Sequence, residues 1–69
     1  MLTAVVKIGD NLKRQRIRKA LTQEDLAQQA GLTTASVARI ERNETEPRMS
    51  TLRKLAKALD LDPAELVGE

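Results

Sequence analysis

The sequence predicts an all-α fold: one domain over residues 1–69, built from five short helices and preceded by an apolar lead-in at residues 1–6. Three observations carry that expectation. Apolar residues are 41% of the 69-residue chain, and most are Leu and Ala, which favour helix, with few β-branched residues. Helix caps of Thr, Ser and Asp and helix stops at Gly and Asn punctuate the chain throughout. Between them the apolar residues recur at three- and four-residue spacing, the period that lines one face of a helix.

Taken in order, the first helix is expected from about Lys7 to Lys19, with Ile8, Leu12 and Arg16 on one stripe. Lys13, Arg14, Arg18 and Lys19 then point outward. Thr22 opens the second helix, its hydroxyl placed to accept from the Asp25 backbone, and Glu24 and Asp25 suit the positive helix start. Leu26, Ala27 and Ala30 form its inner face, and Gly31 stops it by taking the left-handed conformation. Thr33 caps a third helix with Val37, Ile40 and Glu41 inside and a small, basic outer face of Ala35, Ala38, Arg39 and Arg42. Residues 42–49 read as a loop broken by Pro47, with Asn43 substituting for glycine at the helix end. Ser50 is expected to cap the fourth helix, whose Leu52, Leu55, Ala56 and Leu59 make the clearest core stripe. Asp62 caps a short fifth helix, with Pro63 at its first position, Glu65 reaching back and Leu61 stapled to Leu66.

Composition narrows the function classes. Cys and His are both absent, which removes disulfides, thiolate and imidazole metal sites, and the usual nucleophile and general base. No cofactor and no metal is expected. No glycine-rich phosphate loop appears, and so small a core does not shape a substrate pocket, so an enzyme is not expected. Without Phe, Tyr or Trp there is no platform for stacking unpaired bases, which argues against single-strand binding. No apolar run approaches a membrane span, so a cytoplasmic protein is expected. Net charge is only +2, but residues 1–20 hold six bases and one acid, whereas residues 58–69 hold four acids and no base. Such polarity fits a polyanion on one face.

The informative stretch is residues 23–42, two short helices joined by a turn so brief that they must cross steeply, a helix-turn-helix. Close crossing needs a small residue in the first helix, a turn glycine and apolar anchors in the second. Ala27, Gly31, Val37 and Ile40 supply them. Over roughly Ile8 to Val67 the chain also resembles the lambda-repressor-like family of phage repressors, Cro proteins and Xre-type bacterial relatives. The resemblance rests on Ile8-Gly9-Asp10-Asn11-Leu12, on Arg16 before Leu21-Thr22-Gln23-Glu24-Asp25-Leu26-Ala27, and on Ala30-Gly31-Leu32-Thr33. It continues through Val37-Ala38-Arg39-Ile40-Glu41-Arg42 and from Pro47 to Leu59.

The resemblance implies a five-helix bundle that binds double-stranded DNA with its third helix, about residues 34–42, in the major groove, commonly as a homodimer. It places base reading at Thr34, Ala35 and Arg39, and phosphate contact at Gln23 and Thr33, with Ser36 facing the phosphates. The loop that skirts the DNA backbone in the family holds Arg42, Asn43 and Thr45, although Glu44 and Glu46 there would be repelled by phosphate. Arg16 and Glu41 match a family ion pair that fixes the recognition helix. A dimer contact is expected at Leu66, Val67 and the apolar N-terminus. The resulting reading is a sequence-specific transcriptional regulator acting by operator occupancy. The alternative is an antitoxin-like or coactivator-like adaptor of the same fold, which the sparse base-reading set keeps open.

Overall fold

Helices α1 (Ile8–Arg18), α2 (Gln23–Ala30), α3 (Thr34–Glu41), α4 (Met49–Ala58) and α5 (Pro63–Val67) follow one another in a computed structural model that describes residues 8–67. No strand occurs among the described residues. The apolar lead-in at residues 2–6 and the helix start expected at Lys7 lie outside the described residues.

Four of the five helices end in the same way, and this sets the directions of the chain. A residue in the left-handed region follows each: Ala20 (φ 58°) after α1, Gly31 (φ 73°) after α2, Asn43 (φ 60°) after α3 and Asp60 (φ 58°) after α4. The next amide then reaches back five residues: Leu21 to Arg16, Leu32 to Ala27, Glu44 to Arg39 and Leu61 to Ala56, over 2.8–3.1 Å. These bonds satisfy carbonyls that the helix itself leaves free. Leu21, Leu32 and Leu61 also press their side chains on the core, the apolar contact that stabilises such a turn. After α3 the equivalent residue is Glu44, which is exposed, so only the end of α3 leads into a polar loop.

Helix starts follow the expected caps at three of four places. The Thr22 hydroxyl accepts from Asp25 N–H while the Asp25 carboxylate accepts from Thr22 N–H, both at 2.9 Å. Thr33 caps α3 by accepting from Ser36 N–H at 3.1 Å, and Asp62 with Glu65 caps α5. Ser50 does not cap α4. The Leu52 amide already bonds the Arg48 carbonyl at 2.9 Å, so the helix begins at Met49, with Arg48 extended before it and no side-chain cap. At the end of α1, Lys19 falls one residue beyond the helix.

The core is built from the stripes the periodicity predicts. Leu12, Leu26, Val37, Leu55, Leu59 and Leu66 are the largest fully buried side chains. α3 packs on α2 and α1, α4 on α2 and α5, and α5 closes back on α1. That closure is polar as well as apolar: Asn11, buried in α1, donates through Nδ2 to the Leu66 carbonyl at 2.9 Å. No helix of the described residues is long and apolar enough to cross a membrane.

Candidate nucleic-acid interface

α3 presents one face to the core and the other to solvent. Its inner residues Val37, Ile40 and Glu41 are buried, while Thr34, Ala35 and Arg39 are exposed. The outer face is therefore free to meet a partner, provided that the helix is held at a fixed angle.

Two polar clamps to α1 hold it. At the last residue of α3 the Arg16 guanidinium forks onto Glu41, Nε to Oε2 at 2.6 Å and Nη2 to Oε1 at 3.1 Å. Arg16 also donates through Nη1 to the Leu21 carbonyl at 2.7 Å. Gln23 adds a fourth bond, Nε2 to Glu41 Oε1 at 3.1 Å, so α1, α2 and α3 meet at one carboxylate. Only 3% of the Glu41 side chain and 12% of the Arg16 side chain is exposed. Such a pair is tolerated because each buried nitrogen and oxygen in it has a hydrogen-bond partner. The other clamp joins Asn43, just past α3, to the first turn of α1: its Oδ1 accepts from Gly9 N–H at 3.1 Å and its Nδ2 donates to Asp10 Oδ1 at 3.2 Å.

The expected site residues thus divide. Thr34, Ala35 and Arg39 lie together on the open face of α3. Ser36 is half-buried at its edge, where its Oγ accepts from the Thr33 hydroxyl at 2.9 Å. Gln23, expected to hold a phosphate, is half-buried and turned toward Glu41. Asn43, also expected at a phosphate, has its side chain turned to α1. Leu66, expected at a dimer contact, is fully buried in the chain's own core, where it offers no surface to a second copy, and Val67 is half-buried against that core.

Arg42 is exposed at the end of α3, but its fork is occupied. Its Nε meets Glu44 Oε2 at 2.7 Å and its Nη2 meets Oε1 at 3.2 Å. The hydrogen bond from Arg42 holds the Glu44 carboxyl below its usual range; desolvation opposes it, and the charges of Arg42 and Arg39 add smaller lowering effects. The same bond raises Arg42 above the ordinary arginine value. Glu44 is therefore not the lone repulsive charge that the loop sequence suggests.

A groove that no local sequence feature marks lies beside α3. It measures about 450 Å³ and runs between α3 and the start of α4, lined by Ser36, Arg39, Arg48, Ser50, Thr51 and Lys54 among others. Arg48 and Lys54 join Arg39 there, so three cations and several hydroxyls border one channel, opposed by Glu46. In sequence Arg48 sits beside acids in a loop and Lys54 reads as an ordinary solvated lysine. Only the fold puts them next to the outer face of α3. An exposed helix face with a polar, cationic border suits a groove of duplex DNA, where side chains read base edges and cations and hydroxyls meet phosphate.

Comparison with known proteins agrees with this geometry. The helix-turn-helix family model matches residues 12–66. The immunity repressor of Bacillus phage phi105 is 39% identical over 62 residues, covering 90% of this chain but only 43% of the repressor, so the chain spans less than half the length of that relative. Among solved structures, the restriction-modification controller protein C.AhdI from Aeromonas hydrophila superposes with a TM-score of 0.85 at 40% identity, covering 90% of this chain and 94% of that one. The P22 c2 repressor, solved in complex with a synthetic operator, superposes with a TM-score of 0.85 at 28% identity, covering 91% of this chain and 96% of the solved chain. By that match, that likeness and the clamped, outward-facing third helix, the chain belongs to the helix-turn-helix family of DNA-binding transcriptional regulators.

Proposed function

We propose that the protein represses transcription by occupying an operator in duplex DNA, with α3 in the major groove and two copies related by a two-fold axis. The observation that carries this reading is the exposed face of α3, Thr34, Ala35 and Arg39, on a helix whose inner face is fixed by Glu41 to two other helices. Support also comes from the P22 c2 repressor, which shares the fold and was solved on a synthetic operator.

In this reading the Arg39 guanidinium donates to guanine O6 and N7, a pairing that discriminates by about 1–3 kcal/mol. Thr34 bonds a base edge or touches a thymine methyl, and Ala35 makes apolar contact only. Thr33, Ser36, Arg42, Arg48 and Lys54 meet phosphates on either side, Arg42 by exchanging Glu44 for a phosphate oxygen. Gln23 contributes a phosphate contact only with the one side-chain proton left over from its bond to Glu41. The protein acts in the cytoplasm, where it meets the DNA.

The test is Arg39→Ala. Its selected sequence is expected to relax at one base pair per half-site, with about a tenfold or greater loss of discrimination there and little change elsewhere. If affinity and selected sequence are both unchanged, α3 does not read the bases.

A further inference from the structure

We propose that Asn43 is a positioning residue for the recognition helix, fixing the C-terminal end of α3 against the first turn of α1 rather than touching DNA. This deepens the reading of α3 as the major-groove element and rests on it. The backbone at Asn43 is left-handed, φ 60°, a conformation that costs any L-residue and that glycine adopts freely. The asparagine brings a side chain that glycine lacks, and both of its polar atoms are engaged. Oδ1 accepts from the Gly9 amide, a first-turn donor that α1 cannot satisfy by itself, across 34 positions of sequence. Nδ2 donates to Asp10 Oδ1.

The approach of the two helices leaves no slack at this end. A Cβ on Gly9 would stand 2.1 Å from the Ile40 carbonyl oxygen and 2.9 Å from that of Glu41, so backbone meets backbone here. The Arg16–Glu41 fork anchors α1 to α3 two turns further along α1. Two anchors along α1 define an angle, where one leaves a pivot. Thr34 lies seven residues from Glu41, roughly 10 Å along a helix, so a tilt of roughly 6° about the remaining anchor displaces it by roughly 1 Å. That shift is enough to spoil a bidentate contact to a base while leaving the looser phosphate contacts in place.

The decisive variant is Asn43→Gly, which keeps the left-handed backbone at no steric cost and removes only the side-chain bonds. On the duplex that the wild-type chain selects from a random pool, it is expected to lose about fivefold in discrimination at the base pair read by Arg39. Affinity for non-specific duplex is expected to stay unchanged, because no phosphate contact is lost. The Gly9 amide is expected to be protected from hydrogen exchange in the wild type, where Asn43 accepts from it, and to exchange freely in the variant. The swap Asp10→Asn with Asn43→Asp keeps an acceptor for Gly9 and a donor between the two side chains at constant net charge, and is expected to restore both discrimination and protection. Unchanged discrimination in Asn43→Gly overturns the proposal. So does a uniform loss over all sequences with the sequence preference unchanged, the signature of a lost phosphate contact. Arg39→Ala, measured alongside, separates the two levels. If it relaxes no base pair, the major-groove reading fails and carries the proposal with it. If it does and Asn43→Gly does not weaken reading there, the positioning role alone fails.

Discussion

With 3% of its side chain exposed, Glu41 has almost no water to solvate it and depends on Arg16 and Gln23. Removing Arg16 alone is therefore worse than removing Arg16 and Glu41 together. Arg16→Ala is expected to cost about 3 kcal/mol in urea unfolding, because the carboxylate stays buried with one weak donor. Arg16→Met with Glu41→Leu is expected to fall within about 1 kcal/mol of the wild type while weakening operator binding. A double variant less stable than either single variant would contradict this. The pair was visible beforehand only through the family resemblance, since 25 positions separate its members. Asn11, Gln23 and Asn43 were harder to read. A polar residue on a helix or in a loop looks solvated until the fold brings a distant partner, and here the partners are Leu66, Glu41 and Gly9.

At the scale of elements, the helices were legible because their causes are local: caps, left-handed stops and the spacing of leucines. Where the cause carries no side-chain signal, it was missed. Gly31 and Asn43 announce a left-handed stop, but Ala20 and Asp60 adopt the same conformation with nothing in the sequence to mark it. They are held by the leucine that follows each, which buries itself on the core. Ala20→Gly should relieve that strain and raise stability by about 0.5–1 kcal/mol, read as a higher denaturation midpoint; a lower midpoint would mean that the strain is absent. Gly9→Ala should do the opposite, costing about 1–3 kcal/mol as its methyl meets the α3 carbonyls. The start of α2 adds a pH-dependent element. Hydrogen bonds from Thr22, chiefly its backbone amide, hold the Asp25 carboxyl below its ordinary value of 3.8. A carboxyl depressed on folding stabilises the fold above that ordinary value, and the contribution is lost as pH falls through the depressed one. The melting temperature of the wild type should therefore exceed that of Asp25→Asn near neutral pH and converge on it in acid. A gap independent of pH would show that the cap does not titrate this way.

For the whole molecule, a net charge of +2 understates how basic the proposed DNA face is. Glu44 is tied to Arg42, and the fold adds Arg48 and Lys54 to the border of α3 beside Arg39. The acids of the C-terminal segment, Asp60, Asp62 and Glu65, belong to the α4–α5 end rather than to the groove beside α3. Charge along the sequence suggested a polyanion partner, but the channel itself needed the packing of α4 beside α3. The measurement that bears most directly on the central claim is selection of random duplex DNA by the purified protein at about 150 mM salt, followed by sequencing of the bound pool. The account predicts an enriched palindrome with half-site centres one helical turn apart, roughly 34 Å, as two copies of α3 in successive major grooves require. A bound pool no different from the input would contradict it.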